Sequence, residues 1–178
     1  RETARLPMQR GSDDIHRLSV PKVGDGTRYA YRAHGTYDPD RGLWFDPSKL
    51  LLDPYATEID RPFAYDRRLS QFGVDTADLM PKAIVRRHEP ISKEAPRFRT
   101  GGLVYEVAVR PFTMLHPDVP EEQRGTVAAL SHPSIIAHLK RIGVDAVELM
   151  PITAWIDERH LPPLGLTNGW GYNPVGFM

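Results

Sequence analysis

The sequence contains no cysteine among its 178 residues. Neither a disulfide framework nor a thiolate metal site can therefore form. Its 23 lysines and arginines equal its 23 aspartates and glutamates, so it offers no charge excess of the kind that attracts nucleic acids or membrane surfaces. No apolar run approaches the ~18 residues of a membrane-spanning helix. We expect no nucleic-acid partner and no membrane partner.

The first ten residues do not contain the apolar segment of a secretion signal. They are mostly charged or polar and are interrupted by Pro7. Together with the absence of cysteine, this suits a reducing compartment, and we expect the cytoplasm.

Proline is abundant, with 17 residues, which is about twice its average usage. Proline is excluded from helix interiors and from central strands. Long ordered loops and short strands are therefore expected over much of the chain.

Residues 1–85 have the pattern of strands and turns. In Thr27–Ala33 the tyrosines fall two apart, which is the period of one strand face. Aspartate and proline together favour turns, and such pairs recur at Asp38-Pro39, Asp46-Pro47 and Asp53-Pro54. Pro81–Val85 is predicted as a last short strand. The charged, proline-containing residues 86–102 are interpreted as a linker.

Residues 103–178 have a different pattern. Leu103–Val109 is apolar on both faces, which is typical of a strand buried on both sides in a parallel sheet. Residues 111–130 are predicted as loop. A helix is expected over Ser134–Ile142, with Ser131 as N-cap, and Val144–Met150 is expected to be the next strand. Strand, helix and strand make a βαβ unit.

The final segment, TNGWGYNPVGFM, carries Trp170 and Tyr172 between Asn168 and Asn173. An aromatic ring can cover the apolar face of a sugar while an asparagine meets its hydroxyl groups. The alternative is that both rings pack beneath a loop. From the residues alone, packing is the commoner outcome for any single aromatic.

Four segments resemble one family. YRAHGTYDPDRGLWFDPSKLLLDPYATEID is similar to a segment of isoamylase-type glycogen and starch debranching enzymes, within the α-amylase superfamily of glycoside hydrolases (family 13). GLVYEVAVRPFTMLHPDVPEEQRGTVAAL resembles the first barrel strand and its following loop. HLKRIGVDAVELMPI and GLTNGWGYNPVGFM resemble the first helix with the second strand, and the loop after that strand.

The resemblance implies the fold class. It implies part of an N-terminal β-sandwich, similar to a carbohydrate-binding module, in residues 1–85, and the start of a (β/α)8 TIM barrel in residues 103–178. A whole barrel takes about 250 residues, so the chain is expected to be the N-terminal portion of a longer enzyme, with both the sandwich and the barrel incomplete. Periodicity alone does not distinguish a barrel from other parallel α/β folds.

The resemblance also implies the activity. The family hydrolyses α-1,6-glucosidic branch linkages in glycogen or limit dextrins, and it needs no cofactor. Its catalytic carboxylates lie on later barrel strands, so no catalytic residue can be placed here and the chain alone is expected to be inactive. Tyr172 matches the tyrosine that stacks on the sugar beside the scissile bond, and Trp170, Asn168 and Asn173 are further substrate-binding candidates. The alternative is a non-catalytic glucan-binding module or fragment. With unpaired barrel strands, the chain is expected to self-associate or to fold loosely.

Other residues are interpreted as structural. Asp145 and Glu148 lie three apart in a strand and so point to opposite faces, which argues against a working pair of carboxylates. The histidines show no metal-ligand spacing, and no metal site is expected. Tyr37, Trp44 and Phe45 are expected to pack in a core, a glucan-binding surface being the alternative.

Overall fold

The computed structural model describes residues 2–87 and 100–177. The chain divides into two compact units, residues 1–88 with 175–178, and residues 89–174. Most of the predicted linker, residues 88–99, lies outside the described residues.

The first unit contains short strands that pair two by two. The antiparallel pairs are β1 (Gln9–Arg10) with β2 (His16–Arg17), β3 (Arg28–Tyr29) with β6 (Ala83–Ile84), and β4 (Tyr37–Asp38) with β5 (Leu43–Trp44). Short 3-10 helices occupy Pro39–Arg41 and Arg67–Ser70. The expected β structure of the first part is present only as these two-residue strands and isolated bridges, because turns interrupt the chain between them.

Two of the predicted Asp-Pro turns are made by the aspartate itself. The Asp53 carboxylate accepts a hydrogen bond from the Tyr55 N–H at 2.9 Å. Its other oxygen accepts from the hydroxyl groups of Tyr29, at 2.7 Å, and Tyr31, at 3.3 Å. The two tyrosine rings contact edge to face, 5.9 Å apart, so the predicted common face of these tyrosines is confirmed.

Asp46 makes the second of these turns from a buried position. One carboxylate oxygen accepts from the backbone N–H of Ser48, at 2.9 Å, and from its hydroxyl, at 2.6 Å. The other oxygen accepts from the Gly73 N–H at 2.8 Å. Burial by itself would raise the pKa of the Asp46 carboxyl, but these hydrogen bonds outweigh it and hold the pKa below its usual range. The carboxylate therefore joins two segments distant in sequence.

The second unit is built on a parallel strand pair. Strands β7 (Leu103–Val107) and β8 (Val144–Leu149) run parallel, and helix α2 (Pro133–Arg141) connects them. The predicted βαβ unit is confirmed, whereas closure into a barrel stays a prediction. Ile135 of α2 packs with Val119 and Ala129 in a small core, and Phe112 and Leu139 pack against it.

Several details of this unit differ from the expectations. The predicted loop, residues 111–130, is overlapped at its two ends by the one-turn helix α1 (Val109–Thr113) and a 3-10 helix, Val127–Ser131. Ser131 therefore ends that helix, and His132 is the N-cap of α2, its ring accepting from the Ser134 N–H. Ser131 failed as the cap because Pro133, at the first helical position, places the cap one residue before itself.

The expected burial of β7 on both faces is wrong for its first half. Val107 is 2% exposed, but Leu103 and Val104 are each 44% exposed. On the neighbouring strand β8, Val147 is 40% exposed. In the part of the chain that the structure describes, β7 and β8 pair only with each other. Apolar side chains and unpaired strand edges are thus open to solvent.

Asp46→Asn should destabilise the first unit. The amide cannot match the charge-assisted bonds to Ser48 and Gly73, and leaving a buried donor unsatisfied costs about 1–3 kcal/mol. Because the folded-state pKa lies below the unfolded value, the carboxylate stabilises above about pH 4, and this contribution is lost as the pH falls through the folded pKa. Urea unfolding at pH 7 should show the full difference between the two chains, and at pH 3 a smaller one. Asp40→Asn, at an exposed position, is the control, and a difference independent of pH would contradict the assignment.

The chain should self-associate through the β7–β8 sheet. Exposed apolar residues beside an unpaired strand edge favour intermolecular pairing. Sedimentation velocity at increasing concentration should show larger species, and Val104→Lys with Val147→Lys should reduce them. Val127→Lys changes a comparably exposed valine, 49%, outside the sheet, and should leave self-association unchanged. A chain that stays monomeric at all concentrations would refute the prediction.

Candidate functional site

The segment after β8 forms a loop whose two arms are joined. Trp155 makes an antiparallel bridge with Pro174, and the Ile156 N–H donates to the Asn173 carbonyl at 2.9 Å. A short 3-10 helix, Pro162–Leu164, lies between the arms. We name residues 151–174 the terminal loop.

Asn168 organises the tip of the terminal loop from inside it. Its side chain is nearly buried, with 9% of the residue exposed. Its Oδ1 accepts from the N–H groups of Trp170, at 3.0 Å, and Gly171, at 3.1 Å. Its Nδ2 donates to the Tyr172 carbonyl at 2.6 Å, and its own N–H donates to Asp157 at 2.7 Å. Asparagine is suited to this because its side chain can replace backbone hydrogen bonds in a turn.

Two backbone positions complete the tip. Gly171 has φ +78°, and a Cβ atom there would lie 2.4 Å from the Pro151 carbonyl oxygen. Glycine is required at this position both by conformation and by space. Asn173 has φ +74°, a region in which asparagine is enriched. Its side-chain amide reaches the Ile156 carbonyl only at 3.5 Å.

The two aromatic candidates project from this fixed backbone. Trp170 is 73% exposed and Tyr172 is 50% exposed. The alternative that both rings pack beneath a loop does not fit these exposures. The side chain of Asn168 holds the backbone of residues 170–172 by hydrogen bonds. The two rings are therefore exposed to solvent on a backbone with little conformational freedom.

The structure brings together Asn168, Trp170, Tyr172 and Asn173, and it adds residues that the sequence reasoning missed. Trp155, 44% exposed, lies on the opposite arm of the terminal loop. Asp157 anchors Asn168, and no spacing pattern pointed to it, because a pairing of residues 11 apart in a loop has no periodic signature. A tryptophan four residues after Pro151, in the loop predicted to follow a strand, was the available sequence signal for Trp155.

This arrangement supports binding rather than proton transfer. The tip offers ring faces and an amide. Two carboxylates that contact the tip are engaged by Asn168, since Asp157 accepts from its N–H at 2.7 Å and Glu158 from its Nδ2 at 3.4 Å. Asp145, on β8, accepts from the Leu103 N–H at 2.9 Å, which is a structural role in the sheet. Glu148 lies beside Glu106 of β7 in register. Among residues 2–87 and 100–177, no group of three His, Asp or Glu side chains is placed to hold a metal ion.

Comparison with known proteins gives two findings. Residues 1–56 match carbohydrate-binding module 48, described as the isoamylase N-terminal domain. The chain is 41% identical over 179 residues to the glycogen debranching enzyme of Yersinia enterocolitica, a match that covers 95% of this chain and 27% of that protein. Along 95% of its length the chain is therefore similar to a glycogen debranching enzyme.

Other glycogen debranching enzymes match equally well. The enzyme of Serratia proteamaculans is 41% identical over 182 residues, covering 95% of this chain and 27% of that protein. The enzyme of Cronobacter sakazakii is 41% identical over 180 residues, covering 96% and 27%. The chain thus spans about a quarter of the length of these curated relatives, and the resemblance inferred from its motifs is confirmed. Within the described residues, no helix is both long enough and apolar enough to cross a bilayer.

Asn168→Ala should loosen the tip of the terminal loop. Removing the amide leaves the N–H groups of Trp170 and Gly171 without their acceptor. Hydrogen exchange of these two amides should accelerate at least about tenfold, which corresponds to a loss of about 1.4 kcal/mol. Asn173→Gly is the matched control, because it keeps the positive φ and removes a side chain with only a long contact. Equal protection in Asn168→Ala and the unchanged chain would show that Asn168 does not hold the tip.

Proposed function

We propose that this chain forms the amino-terminal part of an isoamylase-type enzyme that hydrolyses α-1,6-glucosidic branch linkages in glycogen or a limit dextrin. Similarity along 95% of the chain to glycogen debranching enzymes supports the reaction, and the match of residues 1–56 to a carbohydrate-binding module supports a glucan as the substrate. The cytoplasmic location stays a prediction.

The βαβ unit supports the position of the site in this proposal. In a (β/α)8 barrel the active site is built from loops that leave the carboxyl ends of the strands. The terminal loop leaves the carboxyl end of β8, after Leu149. The residues 103–178 would then contribute one wall of a sugar-binding cleft, and the catalytic carboxylates would lie outside these 178 residues.

Tyr172 carries the substrate-binding part of the proposal. Its half-exposed ring, on a backbone fixed by Asn168, can cover the apolar face of a glucose unit next to the scissile bond. Trp170 and Asn173 lie beside it and can contact the same sugar. Asn168 then acts by positioning these groups. Hydrolysis would follow the double displacement of retaining glycosidases, with carboxylates supplied by the rest of the enzyme.

A non-catalytic glucan-binding protein is the second candidate, and the match to carbohydrate-binding module 48 favours it. The two candidates differ in one observable property. A chain extended through the length of the relatives should release reducing ends from a branched glucan in the first case and none in the second.

Tyr172→Ala in such an extended enzyme should lower kcat/KM for glycogen at least about tenfold, because the ring contact and its buried area are lost from substrate binding. The 178-residue chain alone should release no reducing ends, since it is proposed to lack the catalytic carboxylates. Tyr55→Ala, at a tyrosine that is 76% exposed in the first unit, is the matched control. Unchanged kcat/KM for Tyr172→Ala would show that Tyr172 does not bind the substrate. Hydrolysis by the 178-residue chain would contradict the proposal that the catalytic carboxylates lie outside it.

A further inference from the structure

The second unit contains an open cavity that is separate from the terminal loop. It has a volume of about 400 Å³, lies between α2 and residues 112–118, and has no lining residue in the terminal loop. We propose that this α2 cavity binds a small phosphate monoester with a hydroxylated body, of the sugar phosphate class. The polar residues that line it are His116, Asp118, Ser134, His138 and Arg141.

Arg141 supplies a positive charge to the cavity. Within residues 2–87 and 100–177 its guanidinium forms no ion pair, and its side-chain hydrogen bond goes from Nη2 to the His138 Nδ1, at 3.0 Å. A guanidinium has five N–H donors, so most of them remain available to a ligand. Their planar arrangement matches the oxygens of a phosphate, which arginine binds through two parallel hydrogen bonds.

Two histidines add further donors. Because a guanidinium only donates, the Nδ1 of His138 is the acceptor in its bond with Arg141. The Nδ1 of His116 likewise accepts, from the Asp118 N–H at 3.3 Å. Each neutral ring then carries its proton on Nε2, and both rings line the cavity. Together with Arg141 they provide donors for a ligand group that has several acceptor oxygens, as phosphate has.

Asp118 distinguishes a bare anion from an anion with a hydroxylated body. Its carboxylate lines the same cavity, and in the part of the chain that the structure describes it is ion-paired neither with Arg141 nor with another cation. A carboxylate repels inorganic phosphate, but it accepts hydrogen bonds from hydroxyl groups. A ligand with a phosphate for Arg141 and hydroxyl groups for Asp118 therefore satisfies both charged side chains.

The rest of the lining is apolar and suits a sugar ring. It consists of Phe112, Ile135 and Ala137, of which Ile135 is 2% exposed and belongs to the core against which Phe112 packs. An aromatic ring can cover the C–H face of a sugar. The volume falls within the range of about 300–1,000 Å³ that is typical of small-molecule sites, and a phosphorylated monosaccharide fills more of it than an amino acid does.

The wall that follows α1 is held in place by its own hydrogen bonds. The His116 N–H donates to the Thr113 carbonyl at 3.0 Å, and the buried Thr113 hydroxyl oxygen accepts from the Gly125 N–H at 2.9 Å. Arg124 donates through Nε to the carbonyl of Val119 at 2.9 Å, and Val119 is 1% exposed. With α2 as the other wall, little ordering of the chain is needed on binding, which favours affinity.

The test is the binding of glucose 6-phosphate to the 178-residue chain by isothermal titration, with glucose, inorganic phosphate and alanine as separate probes. Glucose 6-phosphate should bind more tightly than each of the other three. Arg141→Ala should raise its Kd at least about tenfold, because charge-assisted hydrogen bonds to the phosphate are lost. Asp118→Asn should narrow the difference between glucose 6-phosphate and inorganic phosphate, because the repulsion of the bare anion is removed.

Two control variants accompany these measurements. Lys140→Ala removes the same charge at the neighbouring, exposed position of α2, outside the cavity, and should bind like the unchanged chain. Tyr172→Ala, in the terminal loop, should also bind unchanged, which separates the two sites. Thermal midpoints are compared throughout, and Arg141→Gln decides the matter should Arg141→Ala fail to fold.

Each other outcome overturns the α2 cavity as a sugar phosphate site. Equal Kd in Arg141→Ala and the unchanged chain would place binding elsewhere, and an equal loss in Lys140→Ala would show a general effect of charge. Tighter binding of inorganic phosphate or of alanine would replace the proposed ligand class, and no binding of any probe would remove the site. Loss of binding in a chain extended through the length of the relatives would show that another segment of the enzyme covers the cavity. None of these outcomes bears on the hydrolysis of branched glucans, so the proposed function stands or fails separately.

Discussion

The hydrogen bond from a side-chain oxygen to a backbone N–H is the interaction on which the first unit depends. Its strands are two residues long, so the ladder of a regular sheet satisfies few backbone groups. Asp46 compensates from a buried position by accepting from both Ser48 and Gly73. A buried carboxylate is costly unless its oxygens are hydrogen-bonded. This requirement favours the one arrangement in which both Ser48 and Gly73 donate to Asp46.

Lysine and arginine side chains satisfy backbone carbonyl groups of the first unit in a similar way. The Lys49 ammonium donates to the carbonyls of Arg68 and Val74, and Arg32 donates to the carbonyls of Pro47 and Ser48. Arg32 is also ion-paired with Glu2 and Asp75, and only 6% of its side chain is exposed. Loops normally leave such backbone groups to water at the surface, and these long side chains bond some of them within the unit instead.

The terminal loop of the second unit follows the same rule with a neutral residue. Asn168 provides an acceptor for two N–H groups and a donor for the carbonyls of Tyr172 and Ile156. No single charged side chain both donates and accepts in this way. The consequence is a rigid tip in which the backbone polar groups are consumed internally and the rings are left outside. The same side chain therefore accounts both for the fixed backbone and for the exposed rings. Because Asn168 satisfies the polar groups of the loop, the tip is held without burying its aromatic rings in a hydrophobic core.

The sequence predicted local features well and long-range ones poorly. The period of Tyr29 and Tyr31, the Asp53 turn, the helix over most of Ser134–Ile142 and the parallel partners β7 and β8 each depend on neighbouring residues or on a familiar pattern. The pairing partners of the short strands in the first unit, the helices Val109–Thr113 and Val127–Ser131, and the exposure of Leu103 were not predictable, because they depend on which distant groups are available as partners. Asp157 with Asn168, and Asp46 with Gly73, are pairings of that kind.

The same distinction explains why Trp44 was misread as a core residue and Tyr172 was not. Both are large rings near glycine and proline, and composition alone favours burial for each. Tyr172 was assigned through a resemblance that specified its position, whereas Trp44 had only its hydrophobicity. What decides exposure is whether the backbone beneath a ring is already satisfied: at Trp44 the hairpin pairing with Tyr37 does this, and at Tyr172 the amide of Asn168 does it. A ring on such a backbone need not be buried to satisfy the chain beneath it, and its surface stays exposed.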